Sequence, residues 1–108
     1  MFEGDAEFVD DLAAQFTAQC RVALNDMNDA LAARDLSRVS RLAHALKGSV
    51  AYFDPGYGQA ILRTIERISP DQPERLRSLV NALETRMERL TRHLAVAFPR
   101  PAASFAIH

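Results

Sequence analysis

The chain has one cysteine, Cys20, no tryptophan, four glycines and three histidines in 108 residues. One thiol cannot close an internal disulfide, and His44, His93 and His108 form no pair at metal-ligand spacing, which argues against a metal-held mini-domain. No apolar stretch approaches the roughly 18 to 20 residues of a spanning helix, and the acidic opening Met1-Phe2-Glu3-Gly4-Asp5 lacks the basic start of a signal peptide. The expected location is therefore the cytoplasm, without membrane contact. No G-x-x-x-x-G-K-[ST] or G-x-G-x-x-G run occurs, which argues against a nucleotide-binding fold of the chain's own. Glycine is scarce and no alternating β-branched run is found, so strands have almost no support.

What is present is ordinary globular material. Hydrophobic residues make up 48% and charged residues 25% of a 12.0 kDa chain, the size of one domain with one core. The net charge of -1 conceals a separation: residues 1–33 carry seven acids and one base, Arg21, whereas residues 34–70 carry six bases and three acids and residues 71–108 six and four. Basic character this mild, with no Lys/Arg stripe interleaved with aromatics, does not point to nucleic acid.

Every periodic stretch is helical. Phe8 or Val9, Leu12, Phe16, Cys20, Leu24, Met27 and Leu31 recur at three- and four-residue steps after Asp5, predicting one long amphipathic helix to about Arg34, with a short separate leading helix left open. Asp35 reads as the N-cap of a second helix whose seam is Leu36, Val39, Leu42, Leu46, Val50 and Phe53. Asp54-Pro55 reads as a capped start of a third, with Ile61, Ile65 and Ile68 buried and Ser69-Pro70 ending it. Asp71-x-x-Glu74 resembles a capping box ahead of Leu76, Val80, Leu83, Met87, Leu90 and Leu94, a seam running to about Ala97. Four such stripes bury one another most simply in an all-α, antiparallel up-and-down four-helix bundle over residues 1–98. Pro99 and Pro101 stop the last helix, so residues 99–108 are expected to form a flexible tail. With all four stripes used internally, the chain is expected to be a monomer.

One stretch departs from plain core and surface. On a helical wheel His44 falls about 200° from Leu46 and shares an outward face with Ser37, Ser40, Arg41, Lys47, Gly48 and Ala51. Two cations flank the imidazole, one turn before and one turn after, and would attract an anion. Gly48 at i+4 costs the helix roughly 1 kcal/mol relative to alanine and leaves the imidazole clear of its own helix. A neutral, exposed imidazole is a competent nucleophile toward an activated electrophile brought by a partner, and the cations favour a phosphoryl group. The plainer readings are a solvated surface histidine and a glycine packed against a neighbouring helix.

The run Leu42-Ala43-His44-Ala45-Leu46-Lys47-Gly48-Ser49 resembles the signature of histidine-containing phosphotransfer (HPt) domains, usually written AH-x-LKGS. Gly4-Asp5, Phe16 and the junction Ala33-Arg34-Asp35-Leu36 are similar to that family's first helix and its entry to the histidine helix, so the likeness spans roughly residues 4–95. The resemblance implies a four-helix bundle whose exposed histidine takes a phosphoryl group from one receiver aspartate and passes it to another. It makes His44 the phosphorylated residue, gives Lys47 the task of steadying the phosphoryl charge, and makes Gly48 the opening of the docking surface. Two positions depart from the pattern: Val50 stands for a second serine, and Asp54 for the glycine usual ten residues after the histidine.

The leading functional reading is thus a phosphorelay carrier with no kinase or ATP-binding domain of its own. Its partners would be response-regulator receivers, a hybrid sensor histidine kinase, or both, and it would need no cofactor, Mg²⁺ belonging to the receiver. Arg41, Gly48, Ser40 and Ala51 would border the partner. The alternative is a bundle that docks a receiver or another signalling protein through the same face without accepting phosphate. A metal or haem bundle through His44 or His93 would need ligands converging in the core, where His44 does not point. His93 reads as a surface residue and Cys20 as a small core residue.

Overall fold

Apolar spacing of three and four residues translates into four helices among the described residues. The computed structural model describes residues 2–68 and 71–98, with side chains from Asp10 onward. In chain order these are α1 (Phe2–Ala32), α2 (Leu36–Phe53), α3 (Tyr57–Arg67) and α4 (Pro73–Ala97), with no strand among the described residues. α1 packs on α2 and α4, and α3 closes the square by packing on the same two. The joins are only a few residues long, so consecutive helices run antiparallel, which is the up-and-down bundle expected. α1 is continuous from Phe2, so no separate leading helix forms. Ser69, Pro70, the tail 99–108, and the side chains of Phe8 and Val9 lie outside the described residues.

The seams read from the sequence meet in one core. Phe16, Cys20, Leu24, Met27 and Leu31 of α1, Val39, Leu46 and Val50 of α2, Ile61 and Ile65 of α3, and Leu76, Val80, Leu83, Met87 and Leu94 of α4 are all buried. Leu36, Leu42, Phe53, Ile68 and Leu90 pack half-buried against them. Leu62, outside the expected seam, is fully buried. α3 is wedged between α2 and α4, so its stripe must be wider than the single row Ile61 and Ile65 provide. Phe16 and Phe53 stack with ring centroids 4.5 Å apart and join α1 to the end of α2.

Helix ends set the position of α2. Arg34, at φ 59°, takes the left-handed conformation that closes α1, with Asp35 N–H donating to the Ala30 carbonyl and Arg34 N–H to that of Leu31. Asp35 then caps α2 as expected, its carboxylate accepting from the Arg38 amide at 3.3 Å.

Two other starts differ from expectation. Asp71 and Glu74 form no capping box: Gln72 is the N-cap of α4 without a side-chain cap bond, and Pro73 fills the first turn, where its missing N–H would have no intrahelical partner. Asp54 does not begin α3 either. It is the C-cap of α2, and α3 begins at Tyr57 after Gly56. The buried Asp54 carboxylate nevertheless accepts from the Gly58 amide at 3.0 Å and from both Nε and Nη2 of Arg86, at 2.8 and 3.1 Å. That pairing draws it under the first turn of α3 and ties the α2–α3 join to α4. The hydrogen bond from Arg86 holds the Asp54 carboxyl below the usual range, against the opposing effect of burial and with help from the Arg86 charge and the Gly58 and Tyr57 amides.

Candidate functional site

α2 turns Val39, Ala43, Leu46 and Val50 into the core, and this fixes what the opposite side presents. His44 stands out with 73% of its side chain accessible. Arg41 and Gly48 are exposed, while Ser40, Lys47 and Ala51 are half-buried on the flanks, so the outward face read from the wheel is present as a continuous strip. Arg41 makes no ion pair among the described residues.

The imidazole is not solitary. Glu66 on α3 places Oε1 2.6 Å from His44 Nδ1 and accepts from Lys47 Nζ through Oε2 at 2.8 Å. One carboxylate therefore spans two side chains that α2 sets one turn apart, and Glu66 is itself only 19% exposed. The hydrogen bond from Lys47 does most to keep the Glu66 carboxyl below the usual range; partial burial opposes it, and His44 adds a smaller effect in the same direction as Lys47. An ionised carboxylate only accepts, so Nδ1 must be the nitrogen bearing hydrogen. In the neutral ring this leaves the lone pair on Nε2 of a side chain that is 73% accessible.

Sequence reasoning placed His44 and Lys47 together but missed Glu66. The available signal was weak: Glu66 is the one acid in α3, flanked by Arg63 and Arg67, and lies one turn after the buried Leu62. The anion that Arg41 and Lys47 were expected to attract is, at Lys47, already supplied from within the chain.

Gly48 meets nothing: an added Cβ would have no neighbour within 4 Å. The helix-packing explanation for this glycine is thereby removed. Gly48 instead borders a groove of about 300 Å³ between α1 and α2, with Phe16, Tyr52 and Phe53. A second groove, of about 410 Å³, continues along the same pair of helices past Val22, Ala23, Leu42 and Ala45, and Gln19 borders both. Between them Ser49 Oγ donates to Gln19 Oε1 at 2.9 Å. Val22 and Tyr52, 60% and 65% exposed, add apolar surface beside these grooves. The histidine thus has a carboxylate–lysine clasp on its α3 side and a shallow apolar trough on its α1 side.

The remaining candidates are where the sequence put them. His93 is exposed on α4. Cys20 is buried with Sγ 3.8 Å from Met87 Sδ, and burial pushes its thiol up to about 12. Among the described residues no group of three or more His, Cys, Asp or Glu side chains could hold a metal ion, and no helix is long and apolar enough to cross a membrane.

Compared with known proteins, the chain matches the family model described as Hpt domain over residues 11–95. No curated protein and no solved structure gives a significant match.

Proposed function

The chain belongs to the Hpt domain family, and from that premise we propose that His44 is its phosphoryl carrier, accepting from one receiver aspartate and donating to another. The observation that carries this reading is the clasp: Glu66 engages Nδ1 and so leaves the lone pair to Nε2, on a side chain that stands 73% accessible on α2. In the forward step the Nε2 lone pair attacks the phosphorus of a receiver acyl phosphate. The N–P bond forms as the acyl O–P bond breaks, and the receiver aspartate leaves as a carboxylate. The receiver's own carboxylates and Mg²⁺ stabilise the charge on its side.

Lys47 has three donors and uses one on Glu66, so the ammonium can hold a phosphoryl oxygen while keeping its position. Arg41 adds positive charge one turn earlier. Gly48 keeps bulk away from the approach, and the α1–α2 grooves beside it give the receiver an apolar seat.

Incubation with a phosphorylated receiver tests the proposal. Wild-type protein should take up acid-labile phosphate, and His44→Gln should take up none while its helicity and Tm stay close to wild type, because an exposed side chain contributes little to stability. Undiminished labelling of His44→Gln would remove His44 from the role. A wild-type protein that binds the receiver and never labels would establish the binding-only alternative.

A further inference from the structure

The contact between His44 and Glu66 has a consequence for the phosphorylated state, which depends on the carrier role proposed for His44. A phosphoryl group on Nε2 leaves the ring substituted on both nitrogens, with hydrogen retained on Nδ1, so the ring becomes an imidazolium. For onward transfer a receiver carboxylate oxygen attacks phosphorus and the N–P bond breaks, its electron pair returning to Nε2. With Nδ1 protonated the leaving group is a neutral imidazole. Without that proton it would be an imidazolate anion, a far poorer leaving group. The reactivity of the carrier therefore hangs on one proton, on the nitrogen 2.6 Å from a carboxylate.

We propose that Glu66 holds the Nδ1 proton on phosphorylated His44 and thereby sets the upper pH limit of onward phosphoryl transfer. Three features of the geometry carry this. Glu66 faces Nδ1 directly, and its second oxygen is fixed by Lys47, so the carboxylate cannot swing away without losing an ion pair. It is mostly shielded from solvent, at 19% exposure, which limits the screening of its charge against the ring. It also stands alone: among the described residues no other carboxylate pairs with the imidazole, and the charged residues nearest in sequence to His44 on α2 and to Glu66 on α3, Arg41, Lys47, Arg63 and Arg67, are cations, which disfavour an imidazolium. From α4, Arg86 is taken up by Asp54 at the other end of α3, beside Gly58. On α1, Asp26 borders the groove on the far side of Ala45. Glu66 is thus a positioning residue with an electrostatic task, acting on the reacting nitrogen through the ring.

The test uses ring-¹⁵N-labelled protein phosphorylated with a small phosphoramidate donor, so that no cognate receiver is needed. The pH at which the Nδ1 proton is lost is followed by NMR in the wild type, Glu66→Gln and Lys47→Met. Glutamine keeps an oxygen acceptor in the same place and removes only the charge. An opposite charge at this range shifts an ionisation by about one to three pH units, so the Glu66→Gln midpoint should fall at least about one unit below wild type. Lys47→Met should move it upward, a reversal of sign that loosened packing would not produce. Onward transfer to a common receiver should follow: at pH above the wild-type midpoint Glu66→Gln should lose about tenfold relative to wild type, the effect of about one pH unit, and below the Glu66→Gln midpoint the two rates should coincide. Coincident midpoints in wild type and Glu66→Gln, with the phosphoryl group on His44 in both, would overturn the role of Glu66 and leave the carrier reading standing. A wild-type protein that forms no N–P bond at His44 would overturn both.

Discussion

Arg86 of α4 grips the buried carboxylate of Asp54 with two nitrogens, Nε at 2.8 Å and Nη2 at 3.1 Å, at the position where a glycine is usual ten residues after the histidine of HPt domains. The departure is thus compensated within the chain. Asp54 bridges the end of α2, the first turn of α3 through Gly58, and α4, while Arg86 also lies 5.0 Å over the ring of Tyr57. This clamp sits at the opposite end of α3 from Glu66, so it fixes the register that lets Glu66 meet His44 and Lys47.

Asp54→Ala should therefore cost stability. Breaking a fully buried pair costs about 3–5 kcal/mol, and because Arg86 is partly exposed the expected loss is lower, about 2 kcal/mol in chemical denaturation. The pH dependence has a definite sign. The folded Asp54 carboxyl lies below its ordinary value, so its contribution is complete above the unfolded value of about 3.9 and is lost as pH falls through the lower folded value. The stability gap between wild type and Asp54→Ala should be constant near neutrality and narrow in acid below about pH 4. A gap that widened in acid would contradict this origin.

Gly48 and Gly58 make a contrasting pair. A Cβ at Gly58 would lie 2.6 Å from Asp54 Oδ2 and 3.0 Å from both Met87 Cε and Val50 Cγ1, whereas one at Gly48 meets nothing within 4 Å. Gly58→Ala should destabilise the protein by about 1–3 kcal/mol despite the better helix propensity of alanine. Gly48→Gln should melt no lower than wild type, yet transfer phosphate at least about tenfold more slowly, a barrier increase of about 1.4 kcal/mol, because its side chain would stand beside the imidazole where the receiver approaches. Alanine at 48 should fall between. A stable and fully active Gly48→Gln protein would refute the access role.

Arg34, Arg38 and Arg41 are exposed on or beside α2 and make no ion pair among the described residues, so association with an acidic receiver site should be electrostatically steered. Raising ionic strength should slow transfer, and Lys47→Ala should slow it more than it lowers Tm. A transfer rate flat from low to high salt would show that steering plays no part.

The sequence revealed most of what one helix decides by itself. Val39, Leu46 and Val50 pointed inward and His44 outward because a 3.6-residue period fixes both faces at once. Asp35 was legible as a cap because its partner, Arg38 N, is three residues away. What stayed hidden depended on how two helices are set against each other. The Glu66 contacts span 22 and 19 residues and the Asp54–Arg86 pair 32, and no periodicity encodes such a register. Asp54 was misread as the start of α3 because the Asp-Pro signal is local, whereas the force that places its carboxylate comes from α4. The openness at Gly48 was likewise a matter of what neighbouring helices leave uncovered.

The central claim is that Nε2 of His44 carries the phosphoryl group, and mapping that atom directly tests it. After transfer from a phosphorylated receiver, tandem mass spectrometry should place a single acid-labile phosphoryl group on the His44 peptide, and ³¹P–¹⁵N coupling should assign it to Nε2. A phosphoryl group on Nδ1 would contradict the geometry of the Glu66 clasp, and one on another residue, or none, would contradict the carrier role itself.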